Sequence, residues 1–256
     1  MAMTLENLQR YSVEIVIVAL VIILTVIYLV RRANAYRKQT PTIAWLNGSY
    51  SLLTRMNHWN PVYVGGLQRT FYGIFKVRKV LAAWWGVNKK NALQMVDDLA
   101  YGMHNEVFLN ETETTGIAFM TDNEFDALQS SSRPKDIPKL QFLHDGYRRF
   151  GNKACVAWDL SRGMQLLGQY YVAGYMGYDA ALEKSIELGK KAQSVFGSWD
   201  AFWDSYLYGY LYWSKNYTAR RIPDYTMRMK ILDQYRKNGK GPYSQPWNLM
   251  LHVDWK

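Results

Sequence analysis

Sixteen consecutive residues, Ile15 to Val30, carry no charge, and thirteen of them are Leu, Ile or Val. At about −0.3 to −0.6 kcal/mol per apolar residue near a helix centre, such a run predicts favourable membrane insertion. Its helical rise of about 24 Å falls a little short of a hydrocarbon core of about 30 Å. Extending the run back to Tyr11 supplies the missing length, with Glu14 near one interface, Tyr11 and Tyr28 as aromatic anchors, and Arg31 and Arg32 snorkelling at the far end. The expectation is an N-terminal segment, residues 1–32, holding a transmembrane helix over about 13–30. A buried helix of a globular protein and a cleaved signal peptide compete with it. Ala33-Asn34-Ala35 has the form of a cleavage site, but the positive charge follows the apolar run, whereas signal peptides place it first.

The charge distribution completes this reading. Residues 31–96 hold eleven Lys or Arg and no acid, residues 97–130 hold eight acids and no base, and the net charge of the whole chain is +10. Bases crowd the C-terminal side of the run, which predicts a single-pass inner-membrane protein with its N-terminus outside and the rest cytoplasmic. A basic block beside an apolar run predicts anionic membrane lipids as partners, with Arg31, Arg32, Arg37 and Lys38 at the headgroups and Arg69, Lys76 and Lys79 as second contacts. Nucleic acid is disfavoured, because the basic stretch 215–240 contains no known recognition module.

Beyond the run, Pro41, Gly48 and Pro61 among scattered aromatics read as a connector over 33–62. Residues 63–256 read as one multi-helix domain, so the fold class is mainly α. Helical periodicity predicts helices over 66–85, ended by Gly86, and from Asn88 through Met103. Thr121-Asp122-Asn123-Glu124 has capping-box form and opens a short helix near 122–130. Further helices are expected over about 137–150 and 153–173, from Asp179 to Val195, over 199–213 behind an N-cap at Ser198, and near 224–237. Residues 116–120 are the best strand candidate. Ten Trp and twenty Tyr provide large side chains for a core.

Chemistry-bearing patterns are sparse. His58, His104, His144 and His252 lie far apart, no HExxH or CxxC spacing occurs, and no metal site or cofactor is expected. The single cysteine, Cys155, reads as a small buried hydrophobe. No Walker, GxGxxG or GxSxG pattern occurs, and no catalytic residue is assigned. The densest polar pattern on apolar helices is Asp159 with Arg162 and Asp200 with Asp204, at i,i+3 and i,i+4 spacing. If their helices are antiparallel neighbours these four form a polar pocket; otherwise they are salt-bridged structural groups and first-turn acids. Helical spacing puts Phe202, Trp203, Tyr206, Tyr210 and Trp213 broadly on one face, and Trp199, Trp203, Tyr206, Tyr210 and Trp213 are the candidate partner surface wherever part of this aromatic run is exposed.

The segments Ala157-Trp158-Asp159-Leu160-Ser161-Arg162-Gly163, Gly177-Tyr178-Asp179-Ala180-Ala181, Phe196-Gly197-Ser198-Trp199-Asp200-Ala201-Phe202 and Tyr206-Leu207-Tyr208-Gly209 occur in this order. Together with Trp84–Leu93, Pro246-Trp247 and Trp255, they resemble the bacterial YbeU/YbeR-like family of unknown function. The similarity covers about residues 75–256. It implies a helical domain and a bacterial source, and carries over no activity. The function expected from the sequence is a membrane-anchored, non-enzymatic module that binds an unidentified protein partner, of immunity or adaptor type. The alternatives are a hydrolase-like enzyme with a carboxylate-lined pocket, and a lipid- or nucleic-acid-binding regulator.

Overall fold

The computed structural model describes residues 5–37, 39–218 and 222–255, with side chains of the first helix described from Val13 to Leu29. The chain divides into two compact units, Met1–Gln39 and Thr40–Lys256. The first holds one helix, α1 (Leu5–Arg37). The transmembrane expectation is corrected here: among the described residues, no helix is long and apolar enough to cross a membrane. Glu14 lies within the helix, directly before the apolar run that begins at Ile15. The single-pass inner-membrane location and its orientation fall with the span. The proposed headgroup contacts lie outside the described residues: the side chains of Arg31, Arg32 and Arg37, and Lys38 entirely.

The second unit is all helix and turn, with no strand among the described residues. Its helices are α2 (Pro41–Ser49), α3 (Ser51–Met56), α4 (Phe71–Trp85), α5 (Ala92–Ala100), α6 (Met103–Thr114), α7 (Asp122–Ser131), α8 (Ile137–Phe150), α9 (Val156–Ala173), α10 (Tyr178–Val195), α11 (Trp199–Trp213) and α12 (Pro223–Asn238). Local chemistry sets many of the ends. Thr70 accepts from the Gly73 amide at 3.1 Å to open α4, and Gly86, at φ 60°, closes it in the left-handed conformation that lacks a Cβ penalty. Thr121 and Glu124 form the complete capping box of α7, and Ser198 caps α11 through the Ala201 amide at 3.1 Å.

The stretch read as a connector is part of the core. Thr40 caps α2 through the Ile43 amide, Pro41 stands at the first turn where its missing N–H costs nothing, and Ile43, Trp45, Leu46, Tyr50 and Leu52 are buried. The predicted strand at 116–120 is a 3-10 turn, Ile117–Phe119. The helix expected from Asn88 to Met103 starts behind Asn91 and ends at Ala100; Gly102, at φ 92°, then introduces α6.

α9 is the axis of this unit. It packs against α2, α4, α5, α6, α10 and α11. Every residue of α9 except Val156 and Arg162 is buried, the pattern of a helix surrounded on all sides. The turn Val64–Gly66 lies directly on its backbone: a Cβ on Gly65, whose φ is 73°, would stand 2.5 Å from the Gly168 carbonyl. Below, Trp45, Trp199 and Trp247 cluster with ring centroids 4.8–5.3 Å apart, and each indole N–H donates to a backbone carbonyl. These bonds fix the irregular C-terminal tail against the helices, burying apolar rings while satisfying their polar edges.

Candidate functional site

α9 has one polar stripe. Trp158, Arg162, Gln165 and Gln169 follow i, i+4, i+7, i+11 spacing, so they line one helix face. They form one wall of a cleft of about 510 Å3. Leu53 and Met56 of α3, Asn57 just after it, Val80, Trp84 and Trp85 of α4, Tyr210 and Trp213 of α11, and Asp224 and Arg228 of α12 complete it. That volume lies within the usual range of small-molecule sites, about 300–1,000 Å3.

Two guanidinium groups dominate the cleft. Arg162 lies 4.1 Å from the centroid of the Trp85 ring, 4.7 Å from Trp158 and 5.5 Å from Trp213. Burial pushes its pKa down to about 10, with Asp159 opposing that shift. Arg228 is only 6% exposed and sits 3.8 Å over the Tyr210 ring. Its Nη1 donates to the Asp224 carbonyl at 3.1 Å, and the buried Tyr206 hydroxyl lies beside the guanidinium, whose Nε makes no well-aligned hydrogen bond. Among the described residues neither arginine forms an ion pair with a carboxylate. Aromatic faces stabilise such cations by about 0.5–2 kcal/mol each, but they leave the in-plane N–H donors unused. The indole N–H of Trp158, the amide nitrogen of Gln165 and the amide oxygen of Gln169 are buried and without a protein partner.

Behind this wall a hydrogen-bonded chain holds Arg162 in place. Asp159, with 0% exposure, accepts from the backbone amides of His104 and Asn105 at 3.0 Å each, and from His104 Nδ1 at 2.5 Å. It therefore caps the start of α6 from a neighbouring helix, a role that Gly102 has no side chain to fill. His104 Nε2 faces Arg162 Nη1 at 3.4 Å. Arginine has only donors, so Nε2 accepts and Nδ1 carries the proton to Asp159.

The four polar residues singled out in the sequence do not meet as a set. Asp159 and Arg162 are joined through His104. Asp200 pairs with Arg236 at 2.9 Å and accepts from Tyr243 at 2.6 Å, while Asp204 pairs with Arg149 at 2.7 Å, both on the surface. The carboxylate-lined pocket is thus replaced by one lined with arginines. Of the five aromatic residues proposed as a partner surface, Trp199, Trp203, Tyr206 and Tyr210 are buried; Trp213 alone is half exposed, on the cleft rim. A buried aromatic face packs the core and offers nothing to a partner.

Gln165, Gln169 and Arg228 went unrecognised in the sequence. The signal for the first two was present: polar residues at helical spacing from Arg162 on a helix otherwise apolar. Arg228 belongs to a helix whose basic composition reads as a solvated face. No group of three or more His, Cys, Asp or Glu placed to hold a metal ion exists among the described residues.

No curated protein and no solved structure matches this chain. A family model does match, over residues 80–247, a span that takes in α9, α11, Trp84, Trp85 and both cleft arginines. The chain belongs to the family described as protein of unknown function (DUF1266).

Proposed function

We propose that residues 40–255 form a non-enzymatic binding module whose working site is the arginine–aromatic cleft, and that the group recognised there is an anion. The observation that carries this reading is the pair Arg162 and Arg228: two largely buried guanidinium groups that share a cleft and have no carboxylate partner among the described residues. Burying an uncompensated cation is costly, and an oxyanion in the cleft offsets that cost by accepting the unused donors. Asp224 on the same wall leaves the lining with a net charge of +1, two arginines against one acid. A hydrolase reading has less support, since Asp159 already accepts from three N–H groups and Asp200 and Asp204 bond elsewhere.

Four tryptophans line the cleft, so titrating inorganic phosphate into the purified chain while following indole fluorescence tests the reading directly. A saturable change is expected, and Arg228→Met should abolish it. A flat titration for the wild-type chain would sink the reading.

Docking of a protein partner is a second reading, and one feature favours it. On α4, Phe71, Tyr72 and Phe75 are 91%, 65% and 65% exposed and adjoin one another at helical spacing. Contiguous exposed aromatics mark interaction surfaces. Cross-linking in cells of the source organism, with wild-type and Phe71→Ser/Phe75→Ser chains, tests this. One adduct lost in the variant supports docking there; identical adducts exclude it. Within the family, we propose that the chain groups with the YbeU/YbeR-like proteins, on the ordered tryptophan and glycine motifs of α9, α10 and α11.

A further inference from the structure

The anion is only part of what the cleft is built to hold, and the inference drawn here rests on the anion-binding reading above. The lining offers three kinds of chemistry. Arg162 and Arg228, both lining the cleft, supply positive charge and in-plane donors. Around them stand five aromatic rings, Trp84, Trp85, Trp158, Tyr210 and Trp213, of which Trp84 and Trp213 are 67% and 50% exposed. The third element is a donor–acceptor pair on α9: the Gln165 amide nitrogen and the Gln169 amide oxygen, on residues 4% and 2% exposed and one turn apart, neither with a protein partner.

Buried amides without partners are unusual in a folded protein, where the great majority are paired. A fully ionised oxyanion such as sulfate satisfies the arginines and the Gln165 nitrogen but has no donor for the Gln169 oxygen, and inorganic phosphate, which has an O–H, offers no flat face to the indoles. An aliphatic acid leaves the half-exposed indoles with no flat partner. A heterocycle whose edge carries both an acceptor and an N–H donor satisfies both glutamines, and its face stacks on an indole or an arginine plane. We propose that the cleft is a nucleotide site, taking a nucleoside monophosphate with its phosphate on Arg162 and Arg228, its base against the tryptophan rim, and its base edge on Gln165 and Gln169. Bidentate phosphate recognition is what a guanidinium fork does best, and a base needs the flat apolar walls that inorganic phosphate does not.

The experiment compares inorganic phosphate, adenosine, and the 5′-monophosphates of adenosine, guanosine, cytidine and uridine, each titrated into the full chain by isothermal calorimetry. At least one monophosphate should bind about a hundredfold more tightly than inorganic phosphate, the increment expected from base stacking and edge contacts. Adenosine alone should bind weakly, for want of the charge. Arg228→Met should lose both phosphate and nucleotide. Gln169→Leu, which keeps the arginines, should retain phosphate and narrow the nucleotide advantage to about tenfold or less. If phosphate binds but none of the four nucleotides binds more tightly, the nucleotide assignment is wrong and the anion reading stands. If neither phosphate nor any nucleotide binds, both fail. Equal nucleotide affinity for wild type and Gln169→Leu would remove the glutamine edge from the assignment.

Discussion

Asp159 is the residue through which the fold and the cleft are most directly coupled, and replacing it separates two contributions. In the wild-type chain its Oδ2 accepts from the amides of His104 and Asn105, and its Oδ1 from His104 Nδ1. Asp159→Ala removes both acceptor oxygens, and with them three hydrogen bonds, at the positive end of α6 and leaves two first-turn amides orphaned. Bonds to a charged group contribute about 1.5–3 kcal/mol each, and loss of a cap alone costs about 1–2 kcal/mol. Allowing for water reaching His104, the net loss should be about 4 kcal/mol. Asp159→Asn keeps an oxygen for the two amides, so the cap survives without its charge. Its new NH2 faces His104 Nδ1, which then must accept; the proton moves to Nε2 and meets an Arg162 donor. That variant should lose about 2 kcal/mol and shift Arg162 within the cleft. Urea denaturation followed by tryptophan fluorescence measures both, with Asp200→Ala and Asp204→Ala as controls expected to cost under about 1 kcal/mol because their pairs are exposed. A loss below about 1 kcal/mol for Asp159→Ala, or equal losses for Ala and Asn, would refute the capping argument.

Two glycines with similar backbone angles should respond differently to alanine. Gly65→Ala combines φ 73° with a Cβ 2.5 Å from the α9 backbone and should destabilise by at least about 3 kcal/mol, whereas Gly86→Ala, at φ 60° with open space around it, should lose only about 1 kcal/mol; thermal melts that rank them equally would undo the close-packing account. The Tyr243 hydroxyl first, and then Arg236, hold the Asp200 carboxyl below its ordinary range. A carboxyl lowered in the folded state stabilises fully above its unfolded value of about 3.9, and that stabilisation is lost as pH falls through the folded value. Asp200→Asn should therefore flatten the acid limb of stability below about pH 4, by under about 1 kcal/mol because the pair is largely exposed, and an unchanged acid limb would contradict the pairing.

Helix ends governed by side-chain chemistry were readable from the sequence: Thr121 and Glu124, Ser198, and Gly86 all cap where their residue types predict. Ends governed by packing were not. Pro41 and Gly48 read as chain breakers, but Pro41 starts a helix and Gly48 lies beneath Pro242, 3.0 Å from where a Cβ would stand, a contact between distant parts of the chain. The uncharged run of α1, Ile15 to Val30, is short for a span even by its own count, and among the described residues no helix is long and apolar enough to cross a membrane. At the site, Asp159 and Arg162 were visible as charges on an apolar helix. Asp200 and Asp204 share that description, and only the three-dimensional arrangement shows Arg236 and Arg149 drawing them to the surface. The cleft itself joins residues from five helices, and no local pattern announces that Arg228 of α12 lines it together with Gln165 and Gln169 of α9.

A chain under pressure only to fold would not keep the α9 stripe. Replacing buried ionic groups with apolar side chains of similar size is often neutral or stabilising, and methionine at positions 162 and 228 would remove both the desolvation of the guanidinium groups and the poorly bonded Arg228 Nε. Leucine at 165 and 169 would do the same for the two amides. The central helix that organises the core instead places four of its polar atoms or rings along one face, into a cleft large enough for a ligand. Stability and binding therefore pull in opposite directions here. Arg228→Met, which should lose the anion, should also melt no lower than the wild type in its absence, and the wild type should recover its deficit only when the anion is present, because a ligand that binds the folded state alone stabilises it in proportion to its occupancy. A purely structural arginine has the contrary signature: its removal lowers the melting temperature with or without anion.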